Sequence, residues 1–523
     1  MSKIDRREFT RMAVVVTALN STLHPVATLA ATDTPAKTDL AFLTMTEAVT
    51  KLRSGEISSV ELVSACVARI KLLDPKVNSY ITVMGEQALA QARTMDAEAQ
   101  AGAFRGPLHG IPISLKDNID TAGVRTTGGS AVYDDRVPDN NAEVVRRLTL
   151  AGAIILGKTN LQEFAMGGSS ASTYFLPVRN PWALDRIPAG SSGGSAAAVI
   201  SDFTIGAVGT DTGGSVRMPA AYCGIVGLKP TYGLVSIRGI IPRTYSLDHC
   251  GPMTKTVEDS ALLLQGMVGY DKLDVASVEH PKEDYVAACT QPVSGLRVGI
   301  PRAPFFDHLD PEITSAMEEA IGVLGKLTAG AKDMYLPSEG TYSRSFLGGE
   351  IEAYHWALYK RSAGRYSLNQ GRTIAANHKA LNDTQTESCS ERVVDYVLAN
   401  WELITLRKTI DDAFTDFDVV VVPTMRELQP TINEALASEE DPKPHEPKET
   451  SNCSWFNTFG IPAISIPCGF SKAGLPIGMM IAGPRFSEGR VLALANAYEK
   501  ATDWHTRRPK LTADMIVPPV NRR

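Results

Sequence analysis

Two glycine-rich turns carry serines on either side of one apolar run, Phe203 to Val208. They are Gly190-Ser-Ser-Gly-Gly-Ser195 and Asp211-Thr-Gly-Gly-Ser-Val-Arg217. Upstream, Gly110-Ile-Pro-Ile-Ser-Leu-Lys-Asp117 ends an apolar run on a single lysine. A serine hydroxyl attacks a carbonyl only with help from a base. An ammonium group becomes a base only where burial or nearby cations disfavour its charge. Turn-mounted serines and a buried lysine are the parts needed for acyl transfer without histidine.

Each residue also has a plain structural role. Ser215 follows Thr212-Gly213-Gly214, where a glycine pair lets several backbone N–H groups converge on one point. A helix beginning at Ser215 would add positive potential there, and an ordinary N-cap would use the same serine. Lys116 could simply close a strand at the surface. Ser192 satisfies the G-x-S-x-G pattern of a hydrolase elbow, but such a serine should follow a hydrophobic strand directly. The preceding Leu184-Asp-Arg-Ile-Pro-Ala189 is polar and contains proline, which disfavours the elbow. The joint presence of lysine, double serine and glycine-flanked serine favours chemistry over three separate structural roles.

These residues need strands and helices to hold them. Apolar runs predict strands at Ile111–Leu115, Ala153–Leu156, Phe203–Val208, Ile225–Leu228, Leu296–Ile300, Asp418–Val422, Ala463–Ile466 and Ile477–Ile481. Helical spacing lies between several of them, and Thr44-Met-Thr-Glu47 and Ser58-Ser-Val-Glu61 read as capping boxes. The alternation predicts an α/β fold: a large mixed, mostly parallel sheet covered by helices on both faces. A single domain is expected from Asp39 to Val517. Residues 342–448 should form a helical pocket wall, ending in a surface loop from Glu439 to Glu449.

The chain has 523 residues, 44% apolar and 21% charged, with a formal net charge of -6. That dispersed charge offers no footprint for nucleic acid. Seven scattered cysteines and nine histidines show no paired-ligand spacing, so neither a metal nor any other cofactor is expected. Lys3, Arg6, Arg7 and Arg11 precede an apolar stretch, Met12 to Leu19, and small residues follow at Ala27, Ala30 and Ala31. This reads as a removable export signal over residues 1–31, with Arg6-Arg7 of the twin-arginine type. It predicts a periplasmic or secreted protein, not inserted in a membrane after processing; the alternative is a cytoplasmic one.

Taken together, the segments resemble the amidase signature family, serine hydrolases with a Ser-cisSer-Lys triad. The resemblance rests on Gly106 to Gly251, including Gly157-Lys-Thr-Asn160, Asn180-Pro-Trp182 and Gly227-Leu-Lys-Pro-Thr-Tyr-Gly233. Gly460-Ile-Pro-Ala-Ile-Ser-Ile-Pro467 and Gly474-Leu-Pro-Ile-Gly478 extend it. It implies Ser215 as nucleophile, Ser191 as bridging serine after a cis peptide, and Lys116 as base. It implies an oxyanion hole from the backbone amides of Thr212, Gly213, Gly214 and Ser215. Asp211, Arg217 and Ser192 would support the site, while Gly167, Gly168 and Ser170 would approach the acyl pocket. Ala189-Gly190 and Asp248-His-Cys250 depart from the family pattern, and His249 reads as structural.

The expected activity is hydrolysis of a small-molecule carboxylic amide by a free-standing enzyme, with a homodimer as an open assembly. The glutaminase subunit of a tRNA-dependent amidotransferase ranks second, because an export signal conflicts with cytoplasmic aminoacyl-tRNA. A non-catalytic amide-binding protein is the third reading. Tyr354, Trp356, Trp401, Trp455 and Phe456 would wall an apolar or aryl acyl pocket, or else belong to the core.

Overall fold

Eleven strands form one mixed sheet in a computed structural model, which describes residues 38–337, 347–382, 389–440 and 450–521. In chain order they are β1 (Tyr80–Val83), β2 (Pro112–Lys116), β3 (Ile154–Thr159), β4 (Gly206–Asp211), β5 (Val226–Lys229) and β6 (His249–Thr254). The rest are β7 (Val298–Pro301), β8 (Ala331–Met334), β9 (Val419–Pro423), β10 (Ala463–Phe470) and β11 (Pro476–Ala482). Across the sheet they run β1-β3-β2-β4-β6-β5-β10-β11-β9-β7-β8.

The expected α/β architecture is present, but the sheet is less parallel than its apolar strands suggest. The pairs β2–β3, β2–β4, β7–β8 and β7–β9 are parallel; the other six are antiparallel. Near-continuous apolar runs report burial of both faces, not strand direction. The β10–β11 hairpin closes through a short turn and can only be antiparallel, whereas parallel neighbours need longer crossovers. Every residue of β2, β3, β4 and β9 is buried.

Both capping boxes form. Thr44 caps the helix Met45–Ser54 with Glu47 returning its bond, and Ser58 with Glu61 does the same for Ser59–Val77. The chain from Lys37 to Arg523 is one compact unit. The export-signal segment, residues 1–31, lies outside the described residues, as does 441–449 of the expected surface loop; Glu439 and Glu440 end the helix Ile432–Glu440. Among the described residues no helix is long and apolar enough to cross a membrane.

Three strands went unread in the sequence. β1 is short, β8 is half-exposed and polar, and β6 has the sequence His-Cys-Gly-Pro-Met-Thr, which resembles a turn. β6 pairs along the whole of β4, Asp211 opposite His249 and Gly206 opposite Thr254. The apolar run at Phe203 enters β4 only at Gly206, so the strand ends at Asp211, directly before the serine turn.

Candidate active site

Lys116 ends β2 and Asp211 ends β4, neighbouring parallel strands whose carboxyl ends open toward the same edge. This is where open α/β sheets usually place their ligands. Lys116 has no exposed surface. Its Nζ lies 2.7 Å from Ser191 Oγ and 2.7 Å from Thr210 Oγ1, with the Thr210 carbonyl at 3.4 Å. Thr210 Oγ1 also accepts from Asn118 Nδ2 at 3.1 Å. Burial pushes the Lys116 pKa down to about 7, opposed by the carboxylates of Asp211 and Asp248. A substantial neutral fraction at physiological pH follows.

The peptide between Gly190 and Ser191 is cis. The helix Gly193–Ile200 follows at once, buried at every position. Ser192 Oγ ties this turn to β4, donating to the Thr210 carbonyl at 3.1 Å and accepting from the Thr210 amide at 3.3 Å. Ser170 Oγ donates to the Ser191 carbonyl at 3.3 Å and accepts from the Gly193 amide at 3.1 Å. The Ser192 amide donates to the Ser215 carbonyl at 3.3 Å, which links the two serine turns. Among the described residues no hydrogen bond joins Ser191 Oγ to Ser215 Oγ, so the lysine side of the expected relay is formed and the nucleophile side is not.

The turn from Thr212 to Val216 is held from below by Asp211. Its carboxylate accepts from the Gly214 amide at 2.7 Å and the Val216 amide at 3.1 Å. The Gly214 amide is therefore engaged already, whereas the amides of Thr212, Gly213 and Ser215 find no acceptor among the described residues. Gly214 has φ +122, and a Cβ there would sit 2.5 Å from Cys453 Cβ. The helix after the turn begins at Arg217, two residues past Ser215, and the Met218 amide already donates to the Gly214 carbonyl at 2.7 Å. With seven residues it adds little potential of its own.

Asp211 and Arg217 pair through two nitrogens at 2.9 and 3.0 Å, both side chains fully buried. Arg217 also donates to Asn457 Oδ1 at 2.6 Å and to the Cys453 carbonyl at 2.9 Å. Asn457 Nδ2 donates back to Asp211 Oδ1 at 2.8 Å and to the Asp211 carbonyl at 3.0 Å. Burial alone would raise the Asp211 pKa, but Arg217 and Asn457 outweigh it and hold it well below the usual carboxylate range. His249 Nδ1 faces the Leu247 carbonyl at 2.6 Å, and burial keeps the ring neutral.

Thr210, Asn457 and Asp248 are parts of this site that the sequence left unassigned. Thr212 Oγ1 donates to Asp248 Oδ1 at 2.5 Å, and the amides of Arg243 and Thr244 donate to the same carboxylate at 2.9 and 3.2 Å. Burial raises Asp248 to about 6 against those bonds. Glu439 is another: it accepts from Ser169 Oγ at 2.5 Å, from Gln162 Nε2 and from Ser172, beside Gly167 and Gly168. The contacts of Asn457 with Arg217, of Thr212 with Asp248 and of Glu439 with Ser169 join distant parts of the chain, so no local pattern announces them.

The aromatic residues divide. Trp455 and Phe456 pack into a buried cluster with Phe305, Phe459, Val420 and Val422. Trp401 is 63% exposed. Trp356 stacks on His378. Tyr354 alone of the five lines a groove of about 800 Å³, with Tyr232, Tyr245, Tyr396 and Arg407, and that groove is not lined by Lys116, Ser191 or Ser215. The cluster of Trp455 and Phe456 also holds Cys453, which lies against Gly214 of the serine turn, so these two reach the turn as core.

A family model described as Amidase matches residues 61–492. A glutamyl-tRNA(Gln) amidotransferase subunit from Methylococcus capsulatus is 41% identical over 488 residues, 90% of this chain and 99% of that protein. Its counterpart of the same name from Moorella thermoacetica is 39% identical over 489 residues, again 90% and 99%. Among solved structures, the native peptide amidase of Stenotrophomonas maltophilia aligns with a TM-score of 0.75 and 32% identity, covering 91% of this chain and 100% of that one. The glutamyl-tRNA(Gln) amidotransferase protein of that name from Thermotoga maritima aligns at 0.69 and 31%, covering 89% and 96%. Matched along most of its length in sequence and in fold, the chain belongs to the amidase family of amide-hydrolysing enzymes.

Proposed function

We propose that the chain hydrolyses a carboxylic amide through an acyl-enzyme on Ser215, with Lys116 as base and Ser191 as relay. The observation that carries this reading is Lys116: fully buried, without a paired carboxylate among the described residues, 2.7 Å from Ser191 Oγ and depressed to about 7. Ser191 passes its proton to Lys116 Nζ and takes the proton of Ser215, whose Oγ bonds to the carbonyl carbon. The resulting oxyanion sits among the amides of Thr212, Gly213 and Ser215. The same path returns the proton to the departing nitrogen as the C–N bond breaks. Water then cleaves the ester, its proton leaving by the same route.

The N-terminal signal favours the free-standing reading, yet the curated relatives favour the alternative, a glutamine-hydrolysing component of a tRNA-dependent amidotransferase. Under it the chain works with partner subunits, in the cytoplasm where tRNA is charged. The likeness to a peptide amidase keeps the free-standing hydrolase as the second reading. The signal, the periplasmic location and a homodimer draw no support from these relatives.

The test is an ammonia-release assay on the purified chain against L-glutamine, peptide amides and simple amides, with Ser215→Ala as control. Turnover lost in that variant is expected. Unchanged turnover would remove Ser215 from the mechanism. Glutamine hydrolysis that strengthens with added partner subunits would select the amidotransferase reading; turnover of peptide amides by the chain alone would select the other.

A further inference from the structure

Arg243 lies beside the serine turn, and among the described residues its guanidinium has no acceptor. A Cβ built on Gly213 would meet one heavy atom within 4 Å, Arg243 Nη1 at 3.8 Å. The guanidinium therefore borders the space that Gly213, one of the oxyanion residues of the proposed mechanism, faces. Its Nε is buried and makes no hydrogen bond, and among the described residues no carboxylate lies within ion-pair distance of the group. The nearest candidate, Asp248, spends its oxygens on the Thr212 hydroxyl and on the backbone amides of Arg243 and Thr244. Arg217, which braces the same turn, shows how a satisfied arginine looks here: its nitrogens reach Asp211, Asn457 and the Cys453 carbonyl.

Arg243 is only partly buried, but its Nε is shut away from water without an acceptor, and buried donors are normally paired. The arginine fork matches a carboxylate in a planar, two-point contact. We propose that Arg243 binds a carboxylate on the acyl part of the substrate, so that the preferred amides are half-amides of short dicarboxylic acids, including amino-acid side-chain amides such as L-glutamine. This rests on the reading of the serine turn as the acyl site. It places the anion next to the reacting carbonyl, so the charge both selects the substrate and fixes which way its amide points.

The experiment separates binding from turnover. Full-length Ser215→Ala protein is titrated calorimetrically with glutaramate and with valeramide, which share chain length and amide and differ in the carboxylate. The titrations are repeated with Arg243→Gln and Arg243→Lys added. Charge-assisted hydrogen bonds predict that glutaramate binds about 10- to 100-fold tighter than valeramide. That ratio should fall close to one with Arg243→Gln and stay intermediate with Arg243→Lys, which keeps the charge but not the fork. Thermal melts report whether each variant is folded, and the lysine variant decides if the glutamine one is not. Equal affinities, no glutaramate binding at millimolar concentration, or a preference that survives Arg243→Gln would overturn the proposal. Turnover that persists in Ser215→Ala would instead remove the acyl-enzyme reading, while the binding ratio would still decide Arg243.

Discussion

Lys116 and Lys158 end up one strand apart, both without exposed surface, yet their surroundings give them different chemistry. Lys158 on β3 lies 3.3 Å from Asp117, and its Nζ also donates to Thr126 Oγ1 at 2.7 Å and the Ile119 carbonyl at 2.8 Å. Lys116 on β2 reaches two hydroxyls and a distant carbonyl, with no carboxylate in contact among the described residues. Burial lowers both pKa values, but Asp117 opposes it for Lys158 from within contact distance. Burial alone does not make a base. What distinguishes the two is whether the charge is compensated where the ammonium sits.

The most direct way to break the comparison is to remove one lysine at a time. Lys116→Ala should lower kcat/KM by about 10³-fold or more, since a general base and its whole relay go together. Lys158→Met should show itself in stability, by about 3–5 kcal/mol in chemical denaturation, because Asp117 is left buried without its partner. If Lys158→Met lost activity with no loss of stability, the division of roles would be wrong.

Asp211→Asn sharpens the point on the other side of the turn. It strips the compensating charge from buried Arg217 and should also cost about 3–5 kcal/mol, read in the same denaturation experiment. Thr210→Val is smaller. It removes one of the two hydroxyls that hold Lys116 Nζ and should reduce kcat about tenfold, with KM little changed.

The smallest expected effect is a shift of the pH profile. Lys116 acts when neutral, so kcat/KM should rise through pH 7 and level off above it. The groups that face it are Asp211 and Asp248, which hold its proton on, Cys250, and Arg243, which helps drive the proton off. Asp248→Asn should therefore move the acid limb to lower pH, and Arg243→Gln to higher pH. A limb that ignored both substitutions would show that another group titrates.

Much of this site could be read in the sequence because its parts are local. Glycine pairs beside Ser191 and Ser215, and an apolar strand ending at Lys116, each fix a short backbone shape with the side chain attached. The supports could not be read. Asn457 and Cys453 reach Arg217 from more than two hundred residues along the chain, and Asp248 lies on a segment that resembles a turn but leads into β6. Aromatic content could not tell a pocket from a core. Trp455 and Phe456 come from the short helix Ser454–Phe459 and turn into the apolar cluster beneath it.

The central claim is that Lys116, acting through Ser191, activates Ser215. It is tested most directly by treating the chain with a fluorophosphonate over a pH series and locating the adduct by peptide mass spectrometry. The adduct is expected on Ser215, forming at a rate that rises through an apparent pKa near 7 and that collapses in Lys116→Ala. An adduct on another serine, or a rate on Ser215 indifferent to both pH and Lys116, would contradict it.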